Sequence, residues 1–206
     1  DLEPIVTQAC AAAQATMRGE YLLQVERYRQ RWDILLPTLT ASAFEKLHAH
    51  APWMPVMRRL VGDDLVCLFM GVVWANPGAP AGDVHSDGGH LATDTHLPPH
   101  CINVFIPLCP VDASNGTEFF LGTHKVRPGA PDCEPGKGYT PSCNPGDVIA
   151  FDYRIRHRAL ENANRYPRPL VYVVLAKPWF RDVNNWPEVI SLDFIDVPMH
   201  PPLTTL

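Results

Sequence analysis

The sequence predicts a mainly β protein, a β-sandwich or jelly roll with N-terminal helices packed on one sheet. Three observations carry this. Apolar runs of strand length recur from residue 65 to residue 176, separated by turn sequences such as "ASNG", "RPGAP" and "NPGD". In 206 residues, 22 prolines and 13 glycines favour many short elements over a helical bundle. The helical patterns are gathered ahead of the strands, in the first 62 residues.

The chain opens on "PIVTQACAAAQAT", whose alanines favour helix because they lose no side-chain entropy on folding. "GEYLLQVERYRQRWDILLPTL" is mixed and predicts an extended edge strand with irregular flanks. "SAFEKLHAH" and "WMPVMRRLV" then read as two short helices. In the second, Trp53, Val56, Met57 and Leu60 recur at helical spacing and predict one buried face, with Pro55 tolerated in the first turn. Strands follow: "LVCLFMGVVWA" at 65–75, "CINVFIPL" at 101–108, "TEFFLG" at 117–122, "DVIAF" at 147–151 and "LVYVVLA" at 170–176. Alternation in the second puts Ile102, Val104 and Ile106 on one face, Asn103 and Phe105 on the other.

Composition excludes several functions. With 46% apolar and 19% charged residues and a net charge of −5, nothing points to nucleic acid or an anionic membrane surface as partner. No apolar run approaches the length of a membrane span. The chain starts at Asp1 rather than Met, as a trimmed chain does, and a cytoplasmic location is the default expectation. Six cysteines without a CxxC predict neither a disulfide scaffold nor a cysteine zinc site. Cys67, Cys101 and Cys109 read as small buried hydrophobes, and Cys133 and Cys143 as a candidate pair for an oxidising compartment.

The segment "DVHSDGGHL" at 83–91 carries the chemistry. In an extended chain His85 and Asp87 point to the same side, and Gly88 and Gly89 leave room for a sharp turn and a close approach. Alone, such an HxD is most often a solvated turn. Here "PGDVIAFDYRIRHRALENANRYPRPLVYVV" adds a strand, His157, and then Arg168 entering the next strand. Two histidines and a carboxylate suit one face of an octahedral Fe(II), leaving three positions for a 2-oxo acid and dioxygen. A planar guanidinium suits the far carboxylate of that co-substrate, and Arg168 fits better than Arg165, which lies in the turn.

From about residue 65 to 180 the chain resembles the phytanoyl-CoA dioxygenase-like family of Fe(II)/2-oxoglutarate oxygenases. The shared parts are "HSDGGH", "INVFIPL", "NGTEFFLGTHK", "PGDVIAFD" and "HRALENANRYPRPLVYVV". The resemblance implies a double-stranded β-helix, which is a jelly roll. It implies iron held by His85, Asp87 and His157, and a 2-oxoglutarate tail held by Arg168. The implied activity is a dioxygenase acting on a small-molecule or acyl-type substrate, most simply a hydroxylase releasing succinate and CO2. Related halogenases replace the carboxylate by a small residue to make room for chloride, and Asp87 argues against that chemistry. Several relatives carry a polar co-substrate contact three positions before the first histidine, where this chain has Gly82. Thr117 and Asn103 are the expected substitutes. Beside the family the chain is short at its N-terminus, so a missing segment is expected to complete the pocket.

One domain is expected over 1–206, with a helical support region at 1–62, a jelly-roll core at 63–180 and a C-terminal tail at 181–206. Trp74, Phe119 and Trp179 read as core packing; Tyr153, and Trp74 as the residue ending the strand that leads into the site loop, are kept as substrate-pocket candidates. Arg154, Arg156 and Arg158 face away from iron if their stretch is extended; the alternative is a basic rim for an acidic substrate. His90, His96 and His100 read as solvated loop residues and His124 as a structural hydrogen-bonder. The rival readings are a catalytically silent binding or sensing module, the same oxidant used for desaturation or cyclisation, and a zinc- or manganese-dependent cupin-like enzyme. Oligomeric state has no sequence signal.

Overall fold

The computed structural model describes residues 3–20, 22–36, 47, 50–92, 95–125 and 138–186. The opening helix is α1, Glu3–Met17. The mixed stretch expected to give one edge strand gives a hairpin instead: β1 (Gln24–Tyr28) at the edge and β2 (Arg31–Leu35) inside it. Gln30 turns the chain between them with a left-handed φ of 62°. The reason for the mis-sized expectation is that β2 points Arg31 and Asp33 into a cavity, so its alternation does not read as apolar-inward.

Helix α2, Met54–Val61, forms where predicted, with proline in its first turn. Its buried face is Met54, Met57 and Val61, whereas Val56 and Leu60 are 55% and 45% exposed. In so short an apolar helix two overlapping stripes have helical spacing, and the one carrying both methionines meets the sheet. The preceding predicted helix lies outside the described residues, apart from buried Leu47 and exposed His50.

Strands β3 (Val66–Ala75), β4 (Cys101–Pro107), β5 (Thr117–Phe120), β6 (Ile149–Asp152), β7 (Arg156–Ala159) and β8 (Arg168–Ala176) complete the elements. An antiparallel sheet runs β1-β2-β3-β8-β4-β6, so the region expected as helical support with one edge strand supplies two of its six strands. The smaller sheet is β5-β7, widened by single bridges from His85 to His157 and from Phe119 to Tyr139. The two layers make the jelly roll.

Both helices lie on the outer face of the large sheet. Ile102, Val104 and Ile106 pack there with Val171, Val173 and Leu175 against α2. Ala9, Ala12 and Ala13 of α1 sit on Ile34, Val72 and Trp74, a close approach that small side chains permit. The inner face, with Phe105, Phe119, Phe151, Leu170, Tyr172 and Val174, packs between the sheets and frames the site. No helix among the described residues is long and apolar enough to cross a membrane.

Candidate metal centre

His85 reaches the site from a strand end bridged to β7, and His157 lies beside it in β7 itself. Asp87 follows two residues on, while the intervening Ser86 turns outward to donate to the Arg154 carbonyl. The ligand atoms of His85, Asp87 and His157 lie within 4.8 Å of one another, the only such group among the described residues. His85 Nε2 and His157 Nε2 stand 3.6 and 3.8 Å from Asp87 Oδ1. Each imidazole spends Nδ1 on a carbonyl, His85 on Asp83 at 2.9 Å and His157 on Ile155 at 3.1 Å. Nε2 of each therefore presents a lone pair toward the carboxylate, and three lone-pair donors facing one another call for a cation.

Electrostatics agree with that need. Burial alone would raise the Asp87 carboxyl, yet the two histidines and Asn103 hold it below its ordinary value. Burial lowers His157, whereas the neighbouring Asp87 carboxylate favours a proton on His85 and raises it. Asn103 Nδ2 donates to Asp87 Oδ2 at 3.2 Å, which leaves Oδ1 as the oxygen facing both imidazoles. Phe119 stacks on the His157 ring at 5.8 Å, and Phe151 tilts against it at 5.0 Å. An aromatic wall thus holds the one ligand that lies deepest.

The site opens into a cavity of about 310 Å³. His85, Asp87, His157, Arg168, Thr117, Asn103 and Tyr153 all line it, so seven of the predicted site residues converge there. Trp74, the eighth, does not: it is buried under α1, with its indole N–H donating to Asn76. It stands on the outer side of β3, one residue out of register with the cavity-lining Val73.

Arg168 is 1% exposed, and its Nε and Nη2 have no hydrogen-bond partner. Burial, and then neighbouring Arg31, lower it to about 10, so it stays charged at neutral pH. Its loop is pinned by Asn162, whose Nδ2 donates to Ala75 and Tyr166 carbonyls. Arg165 is exposed, as its turn position suggested.

Arg31 is the cavity residue that sequence reading missed. It is 2% exposed and donates once, to the Leu160 carbonyl at 2.7 Å, leaving Nε and Nη1 unpartnered. Arg31 and Arg168 both pair with Ala75 in the sheet, from opposite sides, so one small residue separates two buried cations. Gly82 also lies at this end, and a Cβ there would stand 3.1 Å from the Tyr28 ring and 3.5 Å from Arg31 Nη1. The signal available in sequence was an arginine and an aspartate alternating with Trp32 and Ile34. At the other end Asp33 accepts from Tyr172 at 2.7 Å and from Arg27 at 3.1 Å, and burial raises its carboxyl.

Other expectations change. Arg154 is buried in an ion pair with Asp152, and Arg158 binds Glu118, each at 2.7 Å, so neither forms a free basic rim. His100 is buried rather than solvated, and Trp179 is 58% exposed rather than core, with its ring stacked near His100. At His124 the structural hydrogen bonds come from neighbouring Thr123, while Nδ1 of His124 has no partner. Cys101 is buried and Cys67, Cys109 and Cys143 are half-buried; the candidate pairing of Cys143 with Cys133 lies outside the described residues.

Two histidines and one carboxylate at a cavity between the sheets of a jelly roll match the donor set of one class of proteins, the facial-triad non-haem iron proteins. Within that class the chain belongs to the phytanoyl-CoA dioxygenase (PhyH) family, whose profile matches residues 8–170. The dioxygenase af480 of Aspergillus fumigatus is 24% identical over 176 residues, covering 84% of this chain and 52% of that protein. The structure of EvdMO1 superposes with a TM-score of 0.63 at 20% identity, over 86% of this chain and 45% of that one. HygX from Streptomyces hygroscopicus, solved with nickel and 2-oxoglutarate bound, gives 0.62 at 14% identity, over 84% and 81%. The chain thus spans about half the length of the curated Aspergillus relative.

Proposed function

We propose that the protein is a non-haem Fe(II)- and 2-oxoglutarate-dependent dioxygenase that hydroxylates a C–H of a small-molecule or acyl-type substrate. One observation carries the reading: a two-histidine, one-carboxylate donor set shares its cavity with a buried, unpartnered Arg168. In that reading His85, Asp87 and His157 hold the iron through Nε2, Oδ1 and Nε2. When bound, iron with 2-oxoglutarate and dioxygen supplies the oxidising power, giving succinate, CO2 and an oxygenated product.

The chain's own residues bind and orient. Arg168, with Arg31 beside it, takes the distal carboxylate of 2-oxoglutarate, because a buried guanidinium without a counter-ion favours an anion strongly. Thr117 lines the same cavity and offers a hydroxyl to the co-substrate. Asn103 keeps Asp87 Oδ2 occupied, and its own Oδ1 is buried without a partner, available to a donor on the bound molecule. Phe69, Phe105, Tyr172 and Trp186 give the cavity its apolar side and exclude water from the substrate carbon.

The test is to load the metal-free protein anaerobically with Fe(II), add 2-oxoglutarate, and record the visible spectrum. A weak metal-to-ligand charge-transfer band, lost in His157→Ala, is expected. Iron bound without a band overturns the 2-oxoglutarate assignment and brings a zinc- or manganese-type enzyme forward. Succinate release in air then separates an enzyme from a silent binding module, and product mass separates hydroxylation from desaturation.

A further inference from the structure

The peptide unit that follows the candidate metal carboxylate is held at both of its polar atoms. The Asp87 carbonyl accepts from Asn185 Nδ2 at 3.2 Å, and the Gly88 N–H donates to the Tyr153 carbonyl at 3.0 Å. Each anchor is itself anchored. The Tyr153 hydroxyl donates to Asp182, and Asn185 Nδ2 lies 3.0 Å from that hydroxyl and 2.8 Å from Asp182 Oδ2. Asp182 Oδ1 in turn accepts the backbone N–H groups of Asn184 at 2.9 Å and Asn185 at 3.0 Å. Tyr153 and Asp182 are 2% and 3% exposed, so this is a buried network, in which the two Asn185 amide hydrogens are shared among three acceptors.

Gly88 explains why the network fits. A Cβ there would stand 2.7 Å from Tyr153 Cδ1, whereas Gly89 has nothing within 4 Å. The first glycine admits the tyrosine ring against the turn, and a Cβ on the second would meet open space. The strap bearing Asp182 and Asn185 follows β8 and lies outside the 8–170 stretch that matches the family. Arg27 ties it to β1, donating to the Asn185 carbonyl at 3.2 Å with its guanidinium 5.7 Å from the centre of the Trp186 ring. Asn185 and Trp186 also line the cavity.

We propose, resting on the metal-centre reading above, that Asn185 is a positioning residue which, with Tyr153 and Asp182, clamps the Asp87–Gly88 peptide and so aims the Asp87 carboxylate. Asn103 fixes one carboxylate oxygen, and the clamp fixes the backbone that carries it. A ligand aimed before the metal arrives loses less freedom on binding it. The clamp also joins the metal ligand to a cavity wall.

The experiment titrates Mn(II) into metal-free protein by calorimetry, for the unaltered chain, Asn185→Ala and Tyr153→Phe. Thermal unfolding of each metal-free protein reports its fold. Losing an outer partner of a metal ligand typically weakens binding about 10–100-fold, and that rise in Kd is expected in Asn185→Ala. The charge-transfer band of the Fe(II)–2-oxoglutarate complex is expected to shift as well, which a loss of stability alone would not produce. Unchanged Mn(II) affinity with an unshifted band overturns the clamp. Should Asn185→Ala fail to fold, Tyr153→Phe is judged by the same two readouts, since it keeps the ring on Gly88 and removes only the hydroxyl. Amide exchange in the unaltered metal-free protein gives an independent check: Gly88 is expected to exchange more slowly than Gly89, and equal rates overturn the clamp. An unaltered protein that binds no metal overturns the metal-centre reading instead.

Discussion

Arg31 and Arg168 share one physical problem: each guanidinium is held out of water with no carboxylate beside it. A buried charge without a partner is costly, so this end of the cavity favours an anion independently of any metal. Arg168→Ala is expected to weaken 2-oxoglutarate binding while leaving Mn(II) affinity nearly intact. Truncating one partner of a buried charge pair costs roughly 2–5 kcal/mol. At about 1.4 kcal/mol per decade that is a loss of about 30-fold to several thousand-fold in Kd. Calorimetry on the Mn(II)-loaded protein reads it, and near-normal affinity would rule out the assignment. Arg31→Gln is expected to weaken the same binding less, because Arg31 already spends one donor on the Leu160 carbonyl. At this scale the gathering of His85, Asp87 and His157 at one point was anticipated in sequence, from the i and i+2 spacing of the HxD read together with the family resemblance that brought in His157 and Arg168. Arg31 was not, because an arginine in a short polar strand reads as solvated until a neighbouring strand shows which face is covered.

Among the elements, the β2-β3-β8 register decides the shape of the cavity. Gly71 pairs with Leu35 on one side and Tyr172 on the other. The Tyr172 ring crosses over it to reach Asp33, and a Cβ on Gly71 would meet the phenol and stand 2.6 Å from the Ile34 carbonyl. Gly71→Ala must therefore displace Tyr172 and strip Asp33 of a donor. Overpacking a tight site costs about 1–3 kcal/mol, and urea unfolding is expected to show a loss in that range. An unchanged midpoint would mean that β3 shifts to accept the methyl. Strand positions were readable from apolar runs, and alternation placed Asn103 and Phe105 correctly on the inner face of β4. The β1–β2 hairpin and β7 were harder, because both expose charged side chains at intervals where an apolar face was sought. Trp74 packs in the core as it read, and its place as a pocket candidate fails for a related reason: alternation gives two faces without saying which carries the helix.

For the whole molecule, histidine burial predicts a stability that depends on pH. His100 and His157 are both buried, and desolvation lowers each from its ordinary 6.5. Below 6.5 the unfolded chain takes up protons that the folded chain resists. Stability of the metal-free protein is thus complete above that value and falls as pH drops below it, by at most about 1.4 kcal/mol per pH unit for each histidine. His85 is raised by Asp87 and acts in the opposite sense, but its side chain is half exposed and solvent screens its contribution. Urea midpoints at pH 7.5 and pH 5.5 are expected to differ accordingly, and equal midpoints would contradict the burial argument. The sequence alone determined the mainly β, jelly-roll class and the positions of most strands, because those depend on local runs and turns; it offered the metal-ligand candidates and Arg168 through the HxD spacing read together with the family resemblance. Only the tertiary structure decided that Arg31 stands across Ala75 from Arg168 and that a strap after β8 grips the Asp87–Gly88 peptide. Those contacts join elements far apart in the chain, and they exist only once sheet register and strap placement bring them into one cavity.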